Sequence, residues 1–102
     1  MINYIIEEKL PSVEEYKELR ESVDWSFPED KYICKSLKNS NYCVCAIEDG
    51  KVIGMSRVVG DYSFIFFVAD VIVLPRYQNQ GIGTALMERI MFYLKPKFDS
   101  QK

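Results

Sequence analysis

Two glycines separated by one residue stand where a polar loop turns into an amphipathic helix. The loop and the first helical turn consist of Gln78, Asn79, Gln80, Gly81, Ile82, Gly83 and Thr84. Backbone N–H groups at a helix N-terminus have no intrahelical partner and carry the positive end of the helix dipole, so they bind phosphate oxygens. A Cβ at Gly81 or Gly83 would hold a pyrophosphate away from this backbone. The pattern predicts an anion-binding loop, in which Gln78 either caps the loop or donates to the ligand.

Two other phosphate-binding patterns do not fit this segment. A dinucleotide-binding turn has G-x-G-x-x-G directly after a strand, but here Leu86 occupies the third glycine position and the residues Pro75–Gln80 intervene. A P-loop has G-x-x-x-x-G-K-[ST], and no lysine follows these glycines. The loop must therefore be interpreted by its own spacing.

Composition excludes several other kinds of chemistry. The chain of 102 residues has no histidine, which excludes Ser-His-Asp and Cys-His catalysis and every zinc site that uses histidine. The cysteines Cys34, Cys43 and Cys45 form no C-x-x-C pair, so we expect small apolar side chains and not a metal site or a disulfide framework. A net charge of −2 lacks the strongly basic face that is typical of nucleic-acid binding. We expect neither a metal nor a nucleic acid as a partner.

The apolar segments are too short for a membrane protein. The start, Met1–Glu8, lacks the basic region and the long apolar stretch of a signal peptide. The longest apolar run, Phe64–Leu74, is interrupted by Asp70 and is too short to span a bilayer. Hydrophobic residues make up 48% of the chain and charged residues 27%, which is close to the globular average. These observations predict a single domain over residues 1–102 that is cytoplasmic and has no membrane partner.

Hydrophobic periodicity predicts the elements that position the loop. They are a strand over Tyr4–Leu10, a helix over Val13–Val23, a second helix with Pro28 in its first turn and its end at Asn39, strands over Tyr42–Ile47, Lys51–Val59 and Phe64–Leu74, and a third helix over Gly81–Leu94. Ser12 and Glu15 form a capping box in front of the first helix. The near-continuous apolar character of the last strand predicts cover on both faces. Pro96 is expected to end the third helix, with Lys97–Lys102 as a frayed tail.

The residues Gln78-Asn79-Gln80-Gly81-Ile82-Gly83 resemble the Q/R-x-x-G-x-G/A signature of the Gcn5-related N-acetyltransferases, the GNAT family. The signature follows an apolar strand that ends in Ile-Val-Leu-Pro, and it precedes an amphipathic helix. The predicted order β-α-α-β-β-β-α also resembles the N-terminal part of that family. The resemblance implies the α+β class, as an α/β-type sandwich with a mostly antiparallel sheet flanked by helices. It further implies transfer of an acetyl group from acetyl-CoA to a primary amine, in a small molecule or a peptide.

The resemblance also implies roles for individual residues. The coenzyme pyrophosphate would lie on the backbone N–H groups of residues 78–83, with Thr84 at the helix start. Ile72 and Val73 would pair with the pantetheine amides as another strand would, which orients the thioester for attack. Asp70 is the one ionisable residue of the central strand and is the candidate general base, with a pKa raised by burial. The alternative is that its carboxylate bonds N–H groups of a loop or helix.

On the acceptor side, the family uses the connector between the first two helices, which corresponds to Asp24–Pro28. Trp25 and Phe27 would then form an apolar or cation–π wall for the amine. Arg57, on the middle strand, would also face the cleft. The alternative is that the two aromatic residues belong to the core and to a solvated helix end.

The resemblance covers the chain but not the whole family fold, because members continue after the motif helix with further strands and another helix. We therefore expect an incomplete domain. The alternative function is an acetyl-CoA-binding or scaffold module that has lost turnover. The unpaired edge of Phe64–Leu74 is a template for another chain, and its apolar side chains exceed what a monomer usually exposes. We expect a homodimer with that strand or the motif helix at the interface.

Overall fold

The computed structural model of the chain describes residues 3–99, and its elements follow the predicted order β-α-α-β-β-β-α. The strands are β1 (Ile5–Glu8), β2 (Tyr42–Glu48), β3 (Lys51–Gly60) and β4 (Phe66–Val73), and the helices are α1 (Val13–Ser22), α2 (Asp30–Lys38) and α3 (Ile82–Asp99). A 3₁₀ turn, Pro75–Tyr77, connects β4 to α3. The expected α+β class is confirmed. Within residues 3–99, no helix is both long enough and apolar enough to cross a membrane.

The strands pair in sequence order, β1-β2-β3-β4, and every pair is antiparallel. Strand β3 shows how the helices are distributed, because successive strand residues point to opposite faces. Ser56 Oγ donates to the carbonyl of Leu86 on α3, at 3.4 Å. The neighbouring Arg57 side chain donates instead to Ser36 of α2 and to Ser40. Helix α3 therefore covers one face of the sheet, and α2 lies against the other.

Helix α1 begins with the predicted capping box. Ser12 Oγ accepts a hydrogen bond from the N–H of Glu15, at 3.1 Å, and Glu15 Oε1 accepts one from the N–H of Ser12, at 2.8 Å. Two backbone donors of the first turn are thereby satisfied, which fixes where the helix starts. The buried face of α1 carries Tyr16 and Leu19. Helix α2 starts at Asp30, so the prediction that Pro28 lies in its first turn is wrong.

Helix α3 continues past Pro96, so the prediction that this proline ends the helix is wrong. A proline inside a helix removes one backbone hydrogen bond and crowds the preceding turn. Contacts of the last turn offset that cost. The rings of Phe98 and Phe66 meet edge to face with centroids 6.5 Å apart, and Lys97 Nζ lies 4.0 Å from the centroid of the Tyr93 ring. Residues 97–99 of the predicted tail are helical, and residues 100–102 lie outside the described residues.

Strand β4 starts at Phe66, two residues later than predicted. The Asp61 carboxylate accepts hydrogen bonds from the N–H groups of residues 63, 64 and 65, at 2.8, 3.0 and 3.1 Å. These bonds, and the one from residue 65 most strongly, lower the pKa of Asp61. They also hold residues 63–65 in a turn, because a side-chain acceptor competes with the strand ladder for the same donors.

The two halves of β4 differ in burial. Phe67 and Val68 are exposed, whereas Asp70 and the end of the strand from Ile72 to Leu74 are buried. The prediction that the whole strand is covered on both faces is therefore wrong for its first half. Strand β4 is therefore covered mainly in its second half, where it approaches the loop before α3.

A β-bulge separates these halves. The register shifts between Met55 and Arg57, where Ser56 lies opposite two residues of β4, Asp70 and Val71. Asp70 has a left-handed φ of +57°, as the first residue of one class of bulge does. The extra residue leaves the ladder and brings the Asp70 side chain to the face on which Arg57 lies.

Close approach of β3 to β4 depends on Gly54. A Cβ at Gly54 would lie 3.0 Å from the carbonyl oxygen of Ile72 and 3.3 Å from Leu86 Cδ1. We expect Gly54→Ala to lower the free energy of unfolding by about 1–3 kcal/mol, because β4 or α3 must shift to admit the methyl group. Urea denaturation measures this change. Gly83→Ala is the control, since its Cβ would have 3.9 Å of space. Equal midpoints for Gly54→Ala and the wild type would contradict the prediction.

Candidate functional site

The predicted anion-binding loop is an open turn whose backbone donors are not used by the fold. Asn79 and Gly81 have left-handed φ angles of +63° and +89°. Left-handed residues in such turns form concavities lined by N–H groups. Helix α3 makes its first hydrogen bond from the N–H of Ala85 to the carbonyl of Gly81, at 3.0 Å. Within the described part of the chain, the N–H groups of residues 79–84 donate to no protein acceptor, so the loop offers them to an anion.

Side-chain hydrogen bonds fix the loop to the sheet. Gln78 Nε2 donates to the carbonyl of Val73 at 2.9 Å, and the backbone N–H of Gln78 donates to the carbonyl of Pro75 at 3.2 Å. Tyr77 Oη donates to Glu48 Oε1 at 2.7 Å, and this bond raises the pKa of Tyr77. Gln78 thus takes the first of its two predicted roles and caps the loop. The free N–H groups therefore begin at Asn79 and not at Gln78.

Both glycines of the motif have open space where a side chain would lie. A Cβ at Gly81 would meet nothing within 4 Å, and a Cβ at Gly83 would meet only Val73 Cγ2, at 3.9 Å. The positive φ of Gly81 is a backbone reason for glycine. At Gly83, however, the surrounding protein would accept a methyl group. Free space above the first turn of α3 is what a bound anion would require.

Some backbone groups of β4 point to the outer edge of the sheet and not towards β3. The N–H of Leu74 donates to the carbonyl of Ile53 on β3, at 2.9 Å. The carbonyl of Ile72 also points towards β3, at Gly54. Successive residues of a strand direct their backbone groups to alternate edges. The backbone of Val73 consequently lies at the edge that pairs with no described strand. Its carbonyl accepts the hydrogen bond from the Gln78 side chain, and its N–H points to the same edge.

Asp70 lies at the centre of a buried polar cluster beside the bulge. Its Oδ2 accepts hydrogen bonds from Tyr16 Oη at 2.8 Å and from Arg57 Nε at 2.7 Å, and its Oδ1 accepts one from Arg20 Nη1 at 2.5 Å. Only 5% of the Asp70 side chain is exposed. Helix α1 and strands β3 and β4 each contribute to the cluster. Two guanidinium groups stabilise the ionised carboxylate through charge-assisted hydrogen bonds.

Arg57 extends this cluster to α2. Its Nη1 donates to the Ser36 carbonyl at 3.2 Å and to Ser40 Oγ at 3.0 Å, and its Nη2 donates to Ser36 Oγ at 3.1 Å. All three guanidinium nitrogens are therefore engaged, and Arg57 is buried and not on an open wall of a cleft as the resemblance implied. Burial, followed by the bond to Asp70, raises the pKa of Tyr16 and keeps its hydroxyl a neutral donor.

The geometry of Asp70 favours a structural role over that of a general base, although not with the partners that were predicted. Its Oδ2 accepts two hydrogen bonds, which use both lone pairs of that oxygen. The bonded partners are side chains, however, and not N–H groups of a loop or helix. Tyr16 and Arg20 were missed as members of this site. Their spacing of four residues places both on one face of α1, which is the signal that could have identified them.

The connector between α1 and α2 splits the predicted aromatic wall. Phe27 is half-buried and packs against the core. Trp25 remains 44% exposed, and the Cζ atom of Arg20 lies 5.3 Å from its ring centroid. Arg20 also donates from Nε to the carbonyl of Ser26, at 2.9 Å. Of the residues predicted for the acceptor side, Trp25 is thus the one that offers an open aromatic surface.

A family model decides the relationship of this chain to known proteins. The model of the acetyltransferase (GNAT) family matches residues 7–100. The chain belongs to the GNAT family. Among curated relatives of this GNAT chain, a histone acetyltransferase of Glycine max is 33% identical over 85 residues, and the chloroplastic GCN5-related N-acetyltransferase 2 of Arabidopsis thaliana is 43% identical over 44 residues. The alignments cover 72% and 43% of this chain, but only 36% and 17% of those relatives.

Solved structures agree with this assignment. A protein from meticillin-resistant Staphylococcus aureus, described as a probable acetyltransferase, has a TM-score of 0.88 and 33% identity, over 93% of this chain and 71% of that one. A GNAT family protein of Streptococcus pneumoniae has a TM-score of 0.80 and 32% identity, over 91% of this chain and 69% of that one. The GNAT fold of the described residues is therefore shown.

Replacement of Asp70 tests whether the cluster holds the GNAT chain together. We expect Asp70→Asn to lower the free energy of unfolding by about 3–5 kcal/mol, because Arg20 and Arg57 lose their shared anion in a buried site. Asp30→Asn is the matched control. Asp30 pairs with Lys17 on the surface, where the loss is about 0–1 kcal/mol. Urea denaturation of both variants decides the matter, and similar losses would contradict a central role for Asp70.

Proposed function

We propose that this GNAT chain is an N-acetyltransferase that uses acetyl-CoA and acts on a primary amine of a small molecule or a peptide. The single observation that carries the proposal is the loop of residues 79–84, whose backbone N–H groups have no protein acceptor among the described residues and which has open space at Gly81 and Gly83. Its supports are the GNAT family model and the fold. One structural neighbour, AAC(6')-Iy, has 17% identity and was solved in complex with a bisubstrate analogue that contains coenzyme A and acetylneamine.

In this proposal the chain binds the cosubstrate mainly through its backbone. The N–H groups of Asn79, Gln80, Gly81, Ile82 and Gly83 hold the pyrophosphate, together with the dipole of α3, and the Thr84 hydroxyl donates at the helix start. The N–H of Val73 at the free edge of β4 pairs with a pantetheine amide, as a neighbouring strand would. The adjacent Ile72 shapes the strand, but its carbonyl already points at β3. These contacts fix a thioester beside the bulge and reduce the entropy lost on reaching the transition state.

The proposed reaction is direct transfer. The amine nitrogen attacks the thioester carbonyl carbon, the new C–N bond forms, and the C–S bond breaks to release the coenzyme A thiolate. The ammonium proton must leave to a base or to water, and the thiolate must be protonated. We propose that Asp70 positions neighbouring elements and does not take this proton, because its oxygens already accept three hydrogen bonds. A loss of turnover in Asp70→Asn that occurs mainly at low pH would instead support the base hypothesis.

The second candidate function is an acetyl-CoA-binding module without turnover. The observation that favours it is that both oxygens of Asp70, the candidate base, already accept hydrogen bonds from protein side chains. Calorimetry with acetyl-CoA tests the cofactor, and turnover with a panel of amines separates an enzyme from a binder. Binding without turnover would favour the module, and absence of binding would contradict both candidates.

Gly83→Ala separates ligand binding from folding. Alanine is favoured over glycine in a helix, so we expect the free energy of unfolding to rise by about 0.5–1 kcal/mol. The added methyl group occupies the space proposed for the pyrophosphate, so affinity for acetyl-CoA should fall by about tenfold or more. Calorimetry and urea denaturation give the two results. Ala85→Gly is the control. It makes the reverse change two residues further along α3, so it should lower stability but keep the affinity for acetyl-CoA. Unchanged affinity in Gly83→Ala would contradict the proposed pyrophosphate site.

We further propose a homodimer through the free edge of β4. Phe67 is 65% exposed, and Phe64, Ile65 and Val68 expose further apolar surface beside unpaired backbone groups. Burial of a few hundred Å² contributes about 10 kcal/mol before the entropy of association is subtracted. The alternative interface is the exposed side of α3 around Phe92.

Light scattering at micromolar concentration measures this association. We expect a mass of twice 11.9 kDa for the wild type. Phe67→Lys should give the monomer, because a charged side chain would be buried in the strand interface. Phe92→Lys should remain a dimer if β4 is the interface. A wild type that stays at 11.9 kDa would contradict the proposal, and a monomer only in Phe92→Lys would move the interface to α3.

A further inference from the structure

Arg20 connects the strand of the proposed cosubstrate site to the connector between α1 and α2. Its Nη1 donates to Asp70 beside the bulge, and its Nε donates to the carbonyl of Ser26. Its guanidinium carbon lies 5.3 Å from the ring centroid of Trp25 and 5.6 Å from that of Tyr16. The backbone completes the link, since the N–H of Trp25 donates to the Arg20 carbonyl at 2.9 Å. One side chain thus contacts helix, connector and strand.

The order of residues along β4 indicates which end of the proposed site Arg20 serves. The N–H groups of residues 79–84 follow the end of β4, and Val73 presents its N–H at the free edge. A cosubstrate anchored by its pyrophosphate at the loop and extended along Val73 runs from there towards the bulge at Asp70. Its acyl end is therefore the end nearest Arg20 and Trp25. An acceptor amine must reach the acyl carbon from this side.

We propose that Arg20 is a positioning residue for the acceptor: it fixes the ring of Trp25 and the connector beside the bulge of β4, where the amine meets the acyl group. This inference rests on the proposed acetyl transfer. Arg20 needs no direct contact with either substrate for this role. Its effect is to hold one wall of the acceptor side in a single position.

The chemistry of the guanidinium explains why arginine suits this position. It presents several donors in a rigid plane, so it can donate to Ser26 and to Asp70 while it stacks against an aromatic ring. A lysine ammonium is compact and cannot make these contacts at once. Because 23% of the Arg20 side chain is exposed, its replacement does not open the core. Asp70 also keeps Arg57 as a partner when Arg20 is removed.

Trp25 is the one tryptophan of the sequence, so its fluorescence reports on the connector alone. We expect Arg20→Met to raise the acrylamide quenching constant of Trp25 by about twofold, because the guanidinium no longer covers its ring. Arg20→Lys should give an intermediate value, since charge is kept but the planar fork is lost. Lys31→Met is the matched control, because it removes a cation 5.1 Å from the Tyr32 ring on α2. Circular dichroism establishes that each variant is folded.

Binding and kinetics give the second result. Affinity of Arg20→Met for acetyl-CoA should stay within about threefold of the wild type, while the KM for an amine that the wild type acetylates should rise by about tenfold. The inference is overturned if quenching in folded Arg20→Met or Arg20→Lys equals that of the wild type. It is also overturned if acetyl-CoA affinity falls as much as the amine KM rises, which would indicate a general structural defect. If the wild type fails to bind acetyl-CoA, the proposed function fails, and the quenching result still decides whether Arg20 fixes the connector.

Discussion

The ion pairs of Asp70 with Arg20 and Arg57 are the interaction on which the rest of this structure depends. The carboxylate sits on a bulge of β4, and its partners come from α1 and β3. A buried charge of this kind is tolerable only when it is paired and hydrogen-bonded, so α1, β3 and β4 must keep their relative positions for the cluster to exist. The bulge and the cluster are therefore one feature: the extra residue turns a strand side chain inward, and the arginines stabilise it there.

The loop before α3 depends on that arrangement indirectly. Gln78 caps the loop by bonding Val73, and Val73 is placed by the part of β4 that follows the bulge. The hydroxyl of Tyr77 holds the other side of the loop to the end of β2. The donors of residues 79–84 are thus carried by a rigid support on both sides. Preorganised donors of this kind lose little entropy when an anion binds.

The sequence predicted the features that are local. The capping box at Ser12, the element order and the loop at Gly81 and Gly83 all follow from contacts a few residues apart, and the structure has them. It failed where tertiary contacts override local preference, as with the aromatic contacts that continue α3 past Pro96. The pairing of Asp70 with Arg20 was also missed: the spacing of Tyr16 and Arg20 places them on one face of α1, but it does not tell which residue, 50 positions along the chain, that face contacts. The cytoplasmic location and the domain bounds stay predictions, since no contact in the fold bears on them.

The N–H groups that we propose for pyrophosphate binding at the start of α3 belong to the main chain, so they do not depend on which side chains the loop carries. The Gln80 side chain bonds the Arg76 carbonyl and supplies none of these groups, whereas the buried side chain of Ile82 must stay apolar for α3 to pack. The backbone restricts the choice of residue at the left-handed positions Asn79 and Gly81, and the space proposed for the pyrophosphate restricts it at Gly83. Chains of low sequence identity can therefore share this loop, and the path of the backbone identifies a relationship between them better than the residue types do.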